Sequence, residues 1–281
     1  MIITARPPSL SFMLISYRQQ ERALYDQIGR QYRTTRAADP RITDRLVDLM
    51  SLPAGSVVCD VGAGSGSYTN ALAARGYRLL AIEPSEVMRE QAFPHDEVAW
   101  VEGVAERLPL PDRCADSIVC TLAAHHFGSL RDAACEMQRV CPEGPFVFFT
   151  MDPRTGERTW FEEYFPEIRQ NDFSLFPALN DFVQTINEAT GRIGAIYEFP
   201  LPNDLIDHFM YAPWNRPETY LDPIFRQNTS SFASADQNVV NRRLAELRKD
   251  VESGAWDARY RGLRARTAFD AGFRFVAFRL F

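Results

Sequence analysis

Short apolar runs alternate with amphipathic stretches between about residue 57 and residue 151. The apolar runs are rich in β-branched and aromatic residues, and several stop at glycine or proline, which is typical of buried strands. The stretches between them place apolar residues three and four positions apart, as a helix with one buried face does. The predicted strands are SVVCDVG, YRLLAIEP, VAWVEG, ADSIVCTLA and PFVFFTM. This alternation predicts a parallel sheet with helices on both faces, a doubly wound α/β fold.

The pattern changes after Met151, where residues 152–222 are rich in aromatic side chains and proline. Helices are predicted within SLFPALNDFVQTINEAT and NVVNRRLAELRKDVESG, and FRFVAFRLF predicts a last strand. Four segments are therefore expected. They are a flexible extension over 1–16, a core with N-terminal helices over 17–151, a substrate-facing cap over 152–254, and a C-terminal strand over 255–281 that completes the sheet.

A glycine-rich turn follows the first predicted strand, in the run Asp60-Val61-Gly62-Ala63-Gly64-Ser65-Gly66. Glycines allow positive φ angles and let a ligand approach the backbone closely. Glu83 ends the next strand, in the position where a carboxylate accepts ribose hydroxyls. A dinucleotide site would carry its third glycine one residue later, where this chain has Ser67. The spacing therefore favours a different nucleoside-containing cofactor.

Asp60 followed by G-x-G-x-G resembles motif I of the class I S-adenosylmethionine (SAM) dependent methyltransferases. LLAIEPSEVM is similar to the second strand and following helix of that family, and RVCPEGPFVFFT to its helix, turn and fifth strand. YDQIGRQYRTTRAADPRI resembles an N-terminal helix that closes over SAM. From Tyr25 to Met151 the chain most resembles small-molecule methyltransferases of type 11 and of ubiquinone biosynthesis. The resemblance implies a Rossmann-like, mostly parallel seven-stranded sheet, an N-terminal helical lid, SAM as cofactor and S-adenosylhomocysteine as product.

The resemblance also implies which residues contact SAM. The glycine loop faces its methionine portion, Glu83 its ribose, and the N-terminal helix its carboxylate. Val104 departs from the family, because many relatives carry there an acid that bonds the adenine amino group. The expected cofactor-binding residues are Asp60, Gly62, Ala63, Gly64, Gly66, Glu83, Pro84, Ala105, Glu106, Thr121, Tyr25, Tyr32 and Arg36.

Methyl transfer from a sulfonium requires positioning, and it requires a base only when the acceptor must lose a proton. His125 and His126 follow the fourth strand and are candidate catalytic bases, because imidazole titrates near neutral pH. Aromatic residues of the cap are candidates for a roof over the substrate. The expected substrate-facing residues are Trp160, Tyr164, His208, Tyr211 and Trp214.

The composition limits which kinds of partner, such as nucleic acid, metal ion or membrane, the chain is expected to bind. The chain has 31 basic and 37 acidic residues, a net charge of -6, so it lacks the basic excess of a nucleic-acid-binding protein. Five cysteines without a CxxC pair, together with four histidines, do not form a metal-site pattern and indicate the cytoplasm. No apolar run is long enough to span a membrane. We expect a monomer or homodimer that methylates a small molecule. The alternatives are a nicotinamide-dependent oxidoreductase and a non-catalytic SAM-binding protein.

Overall fold

A seven-stranded sheet organises the molecule in the computed structural model, which describes residues 35–280. The strand order is β3-β2-β1-β4-β5-β9-β6. β1 to β5 are parallel, and β9 runs antiparallel to both β5 and β6. The strands are β1 Val57–Val61, β2 Arg78–Ile82, β3 Val98–Val101, β4 Ser117–Thr121, β5 Phe146–Met151, β6 Ile193–Glu198 and β9 Phe273–Arg279. The predicted doubly wound, mostly parallel sheet is confirmed.

Helices connect the parallel strands and cover the sheet. They are α1 Pro40–Met50, α2 Ser67–Ala73, α3 Glu86–Glu90 and α4 Leu130–Val140. α1 begins at Pro40, because the fixed φ of proline suits the first helical position and Asp39 caps the helix. The Asp39 carboxylate accepts a hydrogen bond from the Arg41 backbone N–H at 3.0 Å.

The region after Met151 is divided differently from the prediction. It contains α5 Phe161–Tyr164, α6 Pro166–Leu175, α7 Leu179–Thr190, α8 Pro223–Gln227, α9 Ser230–Ala233, α10 Gln237–Glu252 and α11 Ala255–Arg264, with 3₁₀ turns at Ala124–His126 and Pro217–Leu221. β7 Leu201–Pro202 and β8 Ala268–Phe269 form a separate pair. The expected cap of residues 152–254 is not all cap, because it contributes β6 to the main sheet. Residues 255–264, expected within the strand segment, are helical.

The sheet separates two apolar clusters, because successive strand residues face opposite sides. On β5, Phe148 packs in one cluster and Phe149 in the other. The cluster containing Phe149 continues into the cap, where it includes Trp160, Tyr211 and Trp214. The cap is thus held to one face of the sheet by a shared core. Every helix within residues 35–280 is too short or too polar to cross a membrane.

Candidate functional site

A cavity of about 520 Å³ lies at the carboxyl ends of β1, β2 and β4. Ligands of doubly wound folds bind at this edge, where the loops diverge. The cavity brings together most of the residues that the sequence predicted to hold the cofactor. Those in its lining are Arg36, Asp60, Gly62, Ala63, Gly64, Glu83, Pro84, Ala105, Glu106 and Thr121, together with His126.

In the glycine loop, the backbone itself forms part of the cavity wall, because Gly62 and Gly64 carry no side chain. The N–H groups of Gly62 and Ala63 both donate to the Ile82 carbonyl, at 2.9 and 3.0 Å, which fixes the turn against β2. Gly62 has a φ of +79°, and a Cβ added to it would lie 2.4 Å from the Cβ of Ala123. A side chain is excluded here by both backbone conformation and space.

Glu83 is held at the end of β2 by two backbone donors. Its carboxylate accepts from the Gly64 N–H at 2.9 Å and from the Ser85 N–H at 2.8 Å. Burial raises the pKa of Glu83, and these two hydrogen bonds act in the opposite direction. Each carboxylate oxygen keeps a further lone pair, so Glu83 can accept two hydroxyl groups from a ribose in the cavity.

Asp60 is a second buried carboxylate in the lining. Thr69 donates its hydroxyl to Asp60 at 2.6 Å, and burial raises the pKa of Asp60 to about 6. A carboxylate that has lost so much hydration attracts a cationic group strongly. The ammonium of SAM supplies such a group, so the charge of this wall fits the amino-acid end of the cofactor.

The buried hydroxyl of Thr121 gives an independent test of whether the cavity fits SAM. Its hydroxyl oxygen is buried in the cavity wall and has no hydrogen-bond partner among residues 35–280. Buried polar atoms are rarely left unpaired, which indicates a ligand group at this position. Taken with the glycine loop, Glu83 and Asp60, the residues present fit SAM.

Gly66 was expected in the cofactor site, but it packs elsewhere. Its φ is +80°, and an added Cβ would lie 2.7 Å from the indole of Trp100. The third glycine of the motif therefore makes room for Trp100 and for the start of α2.

The adenine end of the site carries no acid at position 104. Val104 is 40% exposed and lines the cavity beside Ala105. Glu106 accepts hydrogen bonds from the backbone N–H groups of Gly128 and Ser129, so it holds the loop after β4. Without that acid, we predict that adenine is recognised by the backbone near Ala105, by Glu106 or by apolar packing.

Arg36 lies in the cavity lining, but its guanidinium is paired within the protein. It forms a bidentate ion pair with Asp207, a cap residue that the sequence did not single out. Tyr68 also donates its hydroxyl to Asp207 at 2.9 Å. Tyr25 and Tyr32, the other predicted contacts of the SAM carboxylate, lie outside the described residues.

The two histidines face different spaces. His126 lines the 520 Å³ cavity, whereas His125 lines a smaller neighbouring one. Burial lowers the pKa of His125 well below its usual value, so its imidazole is neutral at physiological pH. The His125 ring lies 3.9 Å from His126 and 4.3 Å from Phe176, measured between ring centroids.

The predicted aromatic roof lies in the core. Trp160, Tyr164 and Trp214 are at most 5% exposed; Trp160 donates to the Trp214 carbonyl at 2.7 Å, and Tyr164 to Asp250 at 2.6 Å. They stabilise the cap, as large buried aromatic side chains generally do. Tyr211 is also buried but reaches the smaller cavity. His208 is half-buried, its pKa is lowered by burial, and its backbone N–H donates to the Thr35 carbonyl at 3.0 Å.

Comparison with known proteins agrees with this geometry. A methyltransferase domain family matches residues 59–149, the segment that carries the glycine loop. A solved protein of Anabaena variabilis, a candidate methyltransferase of an antibiotic biosynthesis pathway, is 40% identical. Its structure superposes with a TM-score of 0.85 over 88% of this chain and 99% of its own.

Two curated relatives are similar over about half of this chain. An uncharacterised methyltransferase of Geobacillus is 32% identical over 46% of this chain and 62% of its own length. A ubiquinone/menaquinone biosynthesis C-methyltransferase of Rubrivivax gelatinosus is 27% identical over 56% of this chain and 61% of its own. The matches thus span about three-fifths of these relatives. Together with the nearly full-length match to the Anabaena protein, they set aside the nicotinamide alternative: the chain belongs to the class I SAM-dependent methyltransferases.

Proposed function

We propose that this chain transfers the methyl group of SAM to a small-molecule acceptor. The observation that carries the proposal is the cavity of about 520 Å³ whose wall holds the glycine loop, Asp60 and Glu83. The cap residue Asp207 pairs with Arg36 in the same wall, so the cap borders the space that an acceptor must enter. The net charge of -6 also disfavours a polyanionic acceptor. The antibiotic-pathway relative supports the same class.

SAM supplies a methyl group on a positively charged sulfur, which leaves as the neutral thioether of S-adenosylhomocysteine. Glu83 would bind the ribose, Asp60 would attract the ammonium, and the Gly62–Gly64 backbone would admit the methionine portion. These residues would hold the bound cofactor in one orientation toward the acceptor, and such positioning supplies much of the rate enhancement of methyl transfer. The loop after β4, from Thr121 to His126, borders the acceptor side.

A proton must leave when the accepting atom is a hydroxyl oxygen or an amine nitrogen. His125 and His126 are the candidate bases, because they lie on the loop between the two cavities. Burial keeps the imidazole of His125 neutral, so it has an unprotonated nitrogen to receive the proton, and the lowered pKa makes it a weak base. An acceptor carbon activated by its own neighbouring groups would need less help, and the Rubrivivax relative is named as a C-methyltransferase.

The proposal also covers the compartment, the oligomeric state and the division of the chain. All five cysteines are free, which supports a reducing compartment such as the cytoplasm. We propose a monomer or homodimer, with the segments 17–151 and 152–254 as cofactor-binding and mainly substrate-facing parts.

Methyl-labelled SAM incubated with a cell extract tests the proposal. The extract is separated into small-molecule, protein and nucleic-acid fractions, with the Glu83→Ala variant as the background control. After residual SAM is separated from the small-molecule fraction, we expect a labelled compound there only with the unmodified protein. Label confined to protein or nucleic acid would overturn the acceptor class. SAM binding without transfer to any fraction would indicate a non-catalytic SAM-binding protein.

A further inference from the structure

A second cavity of about 70 Å³ lies beside the cofactor cavity, over the ends of β4 and β5. Leu122 and Arg36 contribute to the lining of both cavities, so these two residues lie between the two spaces. Leu122 follows β4 with a φ of +54°, a conformation that a leucine rarely adopts. Backbone held in this way concentrates at functional sites.

The second cavity contains a buried polar cluster built by three cap elements. Asp172 on α6 is 1% exposed and accepts hydrogen bonds from the hydroxyls of Tyr211 and of Ser231, the latter at 3.1 Å. Arg169 in turn donates to the Tyr211 oxygen at 3.3 Å. Burying a carboxylate among aromatic rings is costly, and this network offsets only part of that cost.

His125 completes the cluster from the opposite wall. Its Nδ1 is buried and has no hydrogen-bond partner among the described residues. The remaining lining is largely apolar and includes the rings of Phe176, Phe209 and Phe273. The cavity therefore combines flat apolar walls with a few convergent polar atoms, as small-molecule sites do.

We propose that this second cavity is the acceptor subsite and that it takes the hydroxyl-bearing end of a neutral, aromatic acceptor. The inference rests on the proposed methyl transfer. The Asp172 carboxylate, the Ser231 oxygen and the His125 nitrogen can each accept a hydrogen bond, so they select a ligand group that donates one. Arg36 is paired with Asp207 and Arg169 with Glu162, so neither adds net positive charge. A neutral donor is favoured over an ammonium because burying an ammonium in so small a cavity would cost its hydration.

The size of the cavity limits how the acceptor enters. A volume of about 70 Å³ holds roughly five water-sized groups at about 15 Å³ each. A phenolic hydroxyl and the near edge of its ring fit within it, while the rest extends past Leu122 into the larger cavity. The junction of the two spaces is then where acceptor and methyl group meet.

Binding measurements in the absence of methyl transfer test the assignment of the second cavity as the acceptor subsite. The probes are phenol, toluene and benzylamine, and each is titrated by ligand-observed NMR into the protein saturated with S-adenosylhomocysteine. We expect phenol to bind at least about tenfold more tightly than toluene, because the buried His125 Nδ1 would otherwise stay unpaired. Equal affinity of phenol and toluene, or a preference for benzylamine, would overturn the hydroxyl class.

A pair of variants tests the location. Ser231→Val removes one hydroxyl and fills the cavity, whereas Ser234→Val adds the same bulk at an exposed position just after α9. We expect Ser231→Val to weaken phenol about tenfold or more and Ser234→Val to have no effect. S-adenosylhomocysteine affinity is measured first in both variants. Retained cofactor affinity with unchanged phenol binding in Ser231→Val would overturn the subsite alone, whereas absent cofactor binding in the unmodified protein would overturn the proposed function.

Discussion

Arg36 and Asp207 form a bidentate ion pair across 171 residues of sequence, with Nε to Oδ1 at 2.5 Å and Nη2 to Oδ2 at 3.2 Å. Asp207 is 1% exposed and Arg36 is 13% exposed, so water screens the pair weakly. The pair ties the segment before α1 to the cap, at the wall of the cofactor cavity. It is therefore placed to act on both stability and cofactor release.

We expect Asp207→Asn to lower the free energy of unfolding by about 3 kcal/mol, because it leaves Arg36 partly buried without its counter-charge. S-adenosylhomocysteine should also dissociate several-fold faster from the loosened cavity. Urea denaturation and stopped-flow measurements check the two effects. Glu143→Gln is the matched control, since its pair with Arg113 is exposed on both sides. Tighter cofactor binding in Asp207→Asn would instead show that Arg36, once released, bonds the SAM carboxylate.

Glu83→Ala should weaken SAM by about tenfold or more, because charge-assisted hydrogen bonds to the ribose are lost. Isothermal titration measures the change. Glu102→Ala is the control, since Glu102 is an exposed acid that pairs with Arg89. Unchanged SAM affinity in Glu83→Ala would show that the ribose is bound elsewhere.

Asp60→Asn should stabilise the cofactor-free protein at pH 7 while weakening SAM. The pKa of Asp60 is raised by burial to about 6 from 3.8. The folded state therefore holds this proton more tightly than the unfolded state, and stability falls as pH rises from about 4 to 6. The penalty at pH 7 is on the order of 3 kcal/mol, and the neutral amide removes most of it.

The same pKa makes cofactor binding depend on pH. SAM affinity of the unmodified protein should decrease as pH falls below about 6, because protonated Asp60 no longer attracts the ammonium. Asp60→Asn should show no such dependence. Thermal unfolding and titration from pH 5 to pH 8 check both effects, and identical pH profiles for the two proteins would contradict the role of Asp60.

Gly62→Ala should cost about 3 kcal/mol of stability and abolish SAM binding, from overpacking and a positive φ together. Gly191→Ala isolates the second effect, since Gly191 has a φ of +71° and nothing within 4 Å of an added Cβ. Its cost should be about 1 kcal/mol. Adding Ala123→Gly to Gly62→Ala removes the clash. The double variant should recover the difference in stability cost between Gly62→Ala and Gly191→Ala. No recovery in the double variant would mean that backbone conformation alone excludes alanine at position 62.

Substitutions of the two histidines should affect different quantities, kcat for His125 and SAM affinity for His126. If the acceptor occupies the second cavity, His125→Gln should lower kcat by about 100-fold with SAM affinity unchanged. His126→Gln should change SAM affinity more than kcat, because His126 lines the cofactor cavity. Steady-state assays with an acceptor recovered from the extract check this. A loss of kcat confined to His126→Gln would assign the base to His126.

The cofactor half was predictable because its signals are local. Asp60, the glycine loop and Glu83 belong to consecutive strand–turn units, and parallel strands bring those turns to one edge. The arrangement of the cap was not predictable from the sequence, because its contacts join residues far apart in the chain. Trp160 and Tyr211 are both large aromatic residues of the same region, yet packing puts Trp160 in the core and Tyr211 at a cavity. Asp172 meets Ser231 across 59 positions, and Asp207 meets Arg36 across 171. No periodicity encodes such pairs.

The position of β9 imposes an order on how the molecule is assembled. During synthesis, β6 leaves the ribosome about 75 residues before β9, yet β9 is the neighbour through which it joins the sheet. Residues 57–151 can complete five parallel strands first, because their partners lie within that stretch. β6, by contrast, stays without its neighbour in the sheet until residues 273–279 have been made. The five parallel strands can therefore pair before the antiparallel edge of the sheet is added.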